Sequence, residues 1–248
     1  MKEFKKAIKY ATIDIGSNAI RLLISNIYIH NSEQFSTKNS LVRVPIRLGQ
    51  DAFKSGEISK KNISRLLDSM KSFKLLMKVH DVDKYLAFAT SALRSSSNRD
   101  EIISQIKQKA NIKIEVISGK KEARLITNNP AFSNINKSFC FIDVGGGSTE
   151  LTLIKNNEVL ISKSFKIGGV RLINNLVNKS TWNKFGNWIE NNLSIKRNIE
   201  VVALGGNINK IFKLSGTKLG KPLSLKLIDS TISDLEKMSF FDKMINLK

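Results

Sequence analysis

The chain has 248 residues, 41% of them hydrophobic, with three prolines, fourteen glycines and no low-complexity tract; this fits one large or two smaller soluble globular domains and excludes a fibrous or disordered chain. No apolar run approaches the roughly 18 residues that cross a bilayer, and the basic start MKEFKKAIKYATIDIG lacks the apolar stretch and cleavage site of a signal peptide, so a cytoplasmic protein without a membrane partner is expected. Forty-one Lys and Arg against twenty-one Asp and Glu give +20, a field that attracts polyanions; yet the lysines are spread over the whole chain beside abundant Asn, so compositional bias accounts for most of it, and no nucleic-acid motif accompanies it.

Short apolar runs, Ala11 to Ile15 and Ile20 to Ile24, flank a Gly16-Ser17-Asn18 turn and predict a hairpin, which Val42 to Leu48 could extend. Ser59 then opens a helix in which Ile63, Leu66, Leu67, Met70, Phe73, Leu76 and Met77 recur at three- and four-residue steps. A strand at Tyr85 to Ala89 leads into a turn through Thr90 to Arg94. Asn98 with Glu101 resembles a capping box for a helix carrying Ile102, Ile103 and Ile106. A strand at Lys113 to Ile117 and a short helix at Lys120 to Thr127 lead toward a second half, with the boundary near Arg124 or Leu125.

That second half repeats the plan. Asp14-Ile15-Gly16-Ser17-Asn18 returns in expanded form as Asp143-Val144-Gly145-Gly146-Gly147-Ser148-Thr149-Glu150, with the aspartates 129 positions apart. A third strand is expected at Glu158 to Phe165, helices at Val170 to Leu176 and Thr181 to Leu193, and a strand at Glu200 to Leu204 running through Gly205-Gly206 into another helix. Strands alternating with helices indicate an α/β fold. The one cysteine, Cys140, reads as an inert buried strand residue.

A glycine-rich hairpin presents successive backbone N–H groups to an anion, and two such hairpins suggest two walls of one phosphate clamp. Asp14 and Asp143, each at a strand end beside glycine, could hold Mg²⁺ or simply bond turn amides. Glu150 is a further metal or water ligand, or an exposed strand-start residue. Arg94, in the turn after a strand, offers a planar fork for phosphate. Gly205 and Gly206 offer a third anion site or serve a plain strand-to-helix turn. His30 and His80 form no Cys-His or Ser-His pair that would serve a covalent nucleophile.

The segments ATIDIGSNAIRLLI, VRVPIRLG, FATSALRSSSNRDEI, ISGKKEARLI, FIDVGGGSTELTL, SFKIGGVRL and ALGGNINKIFKL resemble, in order, the Ppx/GppA phosphatase family of the actin, sugar kinase and chaperone ATPase superfamily. The resemblance implies two actin-like (ribonuclease H-like) domains flanking a cleft, here 1–124 and 125–248. It implies Mg²⁺-dependent release of terminal phosphate from inorganic polyphosphate or a guanosine penta/tetraphosphate, with a homodimer as one arrangement. Glu122 matches the general base and Arg94 the phosphate-contacting arginine. Gly16, Ser17 and Asn18 match the first phosphate loop, while Gly145, Gly146, Gly147, Ser148 and Thr149 match the second. Asp14, Asp143 and Glu150 fall at positions tied to metal. A protein that keeps the clamp but has lost efficient catalysis is the alternative.

Three departures carry expectations of their own. Lys120 and Lys121 precede Glu122 where the family usually has an acidic residue, and would hold Glu122 ionised, weakening it as a base. Ala203-Leu204 replace a smaller pair and would narrow the third phosphate contact. The family continues several tens of residues past the equivalent of Leu223, whereas this sequence stops at Lys248; an incomplete second domain with an uncovered sheet edge is expected.

Overall fold

The computed structural model describes residues 7–30, 33–127, 138–156, 158–193 and 199–247; the basic stretch 1–6 lies outside them. Two mixed sheets share one plan. In the first, β1 (Ile8–Ile15), β2 (Ile20–His30) and β3 (Glu33–Val44) form an antiparallel meander, and β4 (Lys84–Ala89) and β5 (Glu115–Val116) add in parallel, in the order β3-β2-β1-β4-β5. In the second, β6 (Ser138–Val144), β7 (Thr149–Lys155) and β8 (Glu158–Phe165) form the meander and β9 (Ile199–Leu204) lies parallel to β6, in the order β8-β7-β6-β9.

The repeat reaches the level of register. Ile15 faces Ile20 and Asp14 faces Arg21; Val144 faces Thr149 and Asp143 faces Glu150. Both turns therefore hold four residues, 16–19 and 145–148. The second copy is not expanded, because Asn18-Ala19 occupy the places of Gly147-Ser148. Even the bulges correspond, at Ile24/Ser25 and Leu153/Ile154, the same offset that separates Asp14 from Asp143.

Period-two burial of Ala11, Ile13, Ile15, Ile20, Leu22 and Ile24 turns one face of the first sheet onto α2 (Lys60–Val79) and α4 (Arg99–Ala110). Ser59 caps α2 by accepting the Asn62 N–H, and Leu66, Leu67, Met70, Phe73 and Met77 are buried, each contributing about 1.5–3 kcal/mol. The opposite faces of β1 and β2 are thereby left to carry Asp14 and Arg21.

Several expected elements shift. The third strand ends at Val44, before Pro45, and Leu48 opens α1 (Leu48–Lys54). The turn after β4 is a short helix, α3 (Ser91–Ser95). Asn98 makes no cap bond: its side chain instead accepts from the Ile58 N–H and donates to the Ile58 carbonyl, joining two loops.

In the second half, α6 (Gly169–Ile173) is followed by α7 (Lys179–Leu193), whose Phe185, Trp188 and Ile189 pack on buried Cys140, Leu151, Phe165 and Ile167. Then α8 (Gly206–Leu214), α9 (Leu225–Lys237) and α10 (Phe240–Asn246) complete the described chain. Among the described residues β9 has one neighbour, β6, and its Val201 is exposed. Between the halves, α5 (Gly119–Thr127) leaves the first sheet and packs on β7 and β8. The architecture is two-lobed α/β, with one mixed sheet to each lobe. No helix among the described residues is long and apolar enough to cross a membrane.

Candidate active site

The two four-residue turns meet at a cleft of about 790 Å³. They close alike, Gly16 N–H donating to the Ala19 carbonyl and Gly145 N–H to that of Ser148. The amides of Ser17, Asn18 and Gly146 have no backbone partner among the described residues, and all three residues line the cleft. Unclaimed amides at two adjoining turns are the donors an anion needs.

Gly147 does not line the cleft; it lets the lobes touch. A Cβ there would strike the Phe53 ring of α1 and come within 2.6 Å of Ser91 Oγ. Arg171 of α6 clamps the contact, donating from Nε to the Gly147 carbonyl at 2.8 Å while its guanidinium stacks 3.9 Å over Phe53. Nothing in the sequence pattern linked these three positions. Thr149 likewise serves the fold, its buried hydroxyl donating to the Ile167 carbonyl at 2.7 Å. The Ser17 hydroxyl is engaged with Ser91 Oγ at 2.8 Å, leaving that residue its amide. The third turn is open: Gly205, at φ +114°, and Gly206 both line the cleft. Leu204 packs beside Phe139 and Phe141, so neither it nor Ala203 narrows the cleft.

Four carboxylates share this space, Asp14, Glu122, Asp143 and Glu150. Asp14 is paired with Arg21 at 2.9 Å across the hairpin. At the matching place in the second hairpin the partner of Asp143 is Glu150, so no cation offsets it within its own sheet. Burial, and then repulsion from Asp14, push Asp143 above the usual carboxylate range against the pull of Arg21. Burial also raises Glu150, opposed by hydrogen bonds from Ser164 (2.7 Å) and Ser148.

Glu122 is the most perturbed of the set. Burial and then the Glu150 charge push it up to about 7, opposed by Arg94 and reinforced by Asp143 and Asp14. Its Oε2 is buried and accepts no hydrogen bond from any described residue. The expected ionising effect of Lys120 and Lys121 does not arise. Neighbours on a helix point to different faces, and Lys121 turns to Glu115 and the Phe88 ring while Lys120 is exposed. The guanidinium of Arg94, the residue expected to contact phosphate, donates to the Ile117 carbonyl at 2.6 Å and stands 3.7 Å from Glu122 Oε2.

Arg43, Arg47, Gln50, Asn174 and Asn207 also line the cleft, and the sequence pattern singled out none of them. Among the described residues no three acidic or metal-ligating side chains converge into a preformed cage.

A family model described as the Ppx/GppA phosphatase family matches residues 36–193. The bifunctional 3-dehydroquinate synthase/phosphatase of Fusobacterium nucleatum is 32% identical over 207 residues, covering 77% of this chain and 31% of that protein. Exopolyphosphatase 1 of Mycobacterium leprae is 28% identical over 174 residues, covering 66% of this chain and 48% of its own. The chain thus spans less than half the length of these two curated relatives. The crystal structure of an exopolyphosphatase from Cytophaga hutchinsonii superposes with a TM-score of 0.72 at 27% identity, over 88% of this chain and 73% of that one. With the family model matching more than half of its length, the chain belongs to the Ppx/GppA phosphatase family.

Proposed function

We propose that this chain hydrolyses the terminal phosphoanhydride bond of inorganic polyphosphate or guanosine pentaphosphate. The observation that carries the reading is the buried Oε2 of Glu122, which accepts no hydrogen bond from any described residue, in the same cleft as two matched turns with unclaimed amides. A carboxylate held near 7 is matched to taking a proton from water at neutral pH. In this reading Glu122 accepts that proton as the water oxygen bonds to the terminal phosphorus. The bond to the bridging oxygen breaks, and the amides of Ser17, Asn18 and Gly146 stabilise the charge on the phosphate oxygens.

Mutually repelling carboxylates suit a divalent cation. Mg²⁺ commonly takes one or two carboxylates, its other positions going to water and substrate phosphate; one or two of Asp14, Asp143 and Glu150 would hold it, and it would supply charge neutralisation for the phosphates. Arg94 acts here as a positioning residue, fixing the charge and direction of Glu122.

The test is phosphate release from long-chain polyphosphate and, separately, from guanosine pentaphosphate, with Mg²⁺ or with EDTA. Release that needs Mg²⁺ and disappears in Glu122→Gln is the expected result and names the substrate. Binding of either compound without release would make the chain a sensor, and release that survives Glu122→Gln would remove Glu122 as the base.

Arg94 allows a separate check. The groups facing Glu122 are Arg94 from α3, Glu150 from β7, Asp143 from β6 and Asp14 from β1, and of these only Arg94 favours the carboxylate. Because the base works deprotonated, activity falls as pH drops through about 7. Arg94→Met moves that acidic limb to higher pH, and Arg94→Lys restores it in part. A limb that stays in place in Arg94→Met rules out the positioning role.

A further inference from the structure

The first of the two matched turns is braced from the segment that leads into α1. Gly49 N–H donates to the Ser17 carbonyl at 2.7 Å, and Arg47 N–H donates to the Asn18 carbonyl at 2.9 Å. A peptide unit is planar and trans, so its C=O and N–H point in opposite directions. With the Ser17 carbonyl held on Gly49, the Asn18 N–H faces away from α1, and it is one of the amides left unclaimed in the cleft.

The second turn is treated alike. Gly169 and Val170, which open α6, donate to the carbonyls of Gly145 at 3.0 Å and Gly146 at 2.8 Å. Val170 has in α6 the place that Gly49 has in α1, and the first amides of a helix have no partner within it. In both lobes a helix start therefore turns spare donors onto the carbonyls of a turn, and so aims an amide of that turn: Asn18 in one, Gly146 in the other.

The brace from α1 fits closely and is held from outside. A Cβ on buried Gly49 would stand 3.0 Å from Ser17 Cβ and 2.8 Å from the Phe53 ring. Arg47 adopts φ 64° and ψ 43°, a left-handed backbone that a residue with a Cβ keeps only where its surroundings hold it. Arg65 of α2 supplies that hold: its Nη1 donates to the Ile46 carbonyl and its Nη2 to the Pro45 carbonyl, each at 3.1 Å. Nη1 also reaches Asn62 Oδ1 at 3.0 Å, and Asn62 in turn donates to Asp51 of α1 at 2.8 Å. Arg65 is itself exposed, so little packing is built on it.

We infer that Arg65 is a positioning residue for the reaction: it fixes the 45–49 segment, which fixes the Ser17 and Asn18 carbonyls and with them the direction of the Asn18 amide. The inference rests on the phosphoanhydride reading of the same cleft. A preorganised amide stabilises developing charge without having to reorient during the reaction, and a small displacement forfeits that advantage.

Arg65→Met keeps the aliphatic stem and removes both grips on the segment. It is expected to lower kcat in the Mg²⁺ assay about tenfold or more while changing KM about twofold or less. Arg65→Lys, whose ammonium is a point charge without the fork, is expected to recover part of the loss. Met77→Ala empties a buried place at the far end of the same helix, and is expected to lower Tm further yet leave kcat alone below its Tm. Hydrogen exchange at the Gly49 amide needs no turnover; it is expected to quicken about tenfold or more in Arg65→Met and far less in Met77→Ala. Unchanged kcat or unchanged Gly49 exchange in Arg65→Met, or an equal loss of kcat in Met77→Ala, would each overturn the positioning role. If nothing releases phosphate, but the Asn18 amide resonance responds to tripolyphosphate in wild type and not in Arg65→Met, the hydrolase reading fails and the positioning role stands. If release depends on Glu122 and is indifferent to Arg65, the positioning role fails and the hydrolase reading stands.

Discussion

Replacing Glu122 with Gln is expected to remove phosphate release by a factor of about 10²–10⁴ while making the protein more stable at alkaline pH. The two effects have one cause. Burial and the Glu150 charge raise the folded carboxyl from an ordinary 4.5 to about 7, so the folded chain holds a proton that the unfolded chain gives up. Below pH 4.5 the group is neutral in both states and imposes no penalty. As pH rises the unfolded chain ionises freely while the folded one resists, and above about 7 the full penalty is in place. Its upper bound is about 3 kcal/mol, from about 1.4 kcal/mol per tenfold change in proton affinity. Gln is neutral throughout, so in EDTA at pH 8 its Tm should exceed wild type by several degrees and the difference should close near pH 4.5. A variant that is inactive and no more stable at pH 8 would show that Glu122 does not bear this electrostatic load.

Much of the frame behind that group is written in the order of residues. Period-two burial in the first hairpin, the 129-residue offset of its repeat and the α2 stripe specify both sheets and the helix layer on the first, because burial periodicity is a local property. The cleft is not local. Glu122 reads from its neighbours as an exposed helix residue beside two lysines, and only the matched family segments mark it out. Its raised proton affinity depends on burial and then on Glu150, Asp143 and Asp14, which come to it from three different strands. Arg94 stands just after a strand, where ligand contacts are common, but α3 turns its guanidinium back to Ile117 and Glu122. The acidic pairing of Asp143 with Glu150 becomes visible only once the turn is known to hold four residues, since one residue more or fewer would put the two side chains on opposite faces. Net charge misdirects as well: a chain of +20 places four carboxylates in its cleft.

The contact between lobes yields the second large effect. Gly147→Ala is expected to lower Tm by about 3–10 °C, corresponding to about 1–3 kcal/mol of overpacking in a chain of this size, and to reduce phosphate release at least about tenfold. The added methyl has nowhere to go. The atoms in its way are the far edge of the Phe53 ring and Ser91 Oγ; the ring cannot swing aside because Arg171 stacks on it, and Ser91 is held by Ser17 of the opposite turn. Relief therefore comes from the turn, which carries Asp143 on one side and Glu150 on the other, and displacing it spreads the carboxylate set. Gly186→Ala gives the contrast within the same chain. No atom approaches a Cβ at that position in the middle of α7, so replacing a glycine in the helix interior should stabilise by about 0.5–1 kcal/mol and leave turnover unchanged. If both substitutions behave alike in thermal denaturation, the lobes do not meet at Gly147; if only Gly147→Ala loses Tm and activity together, the interface between lobes and the geometry of the cleft are one structure.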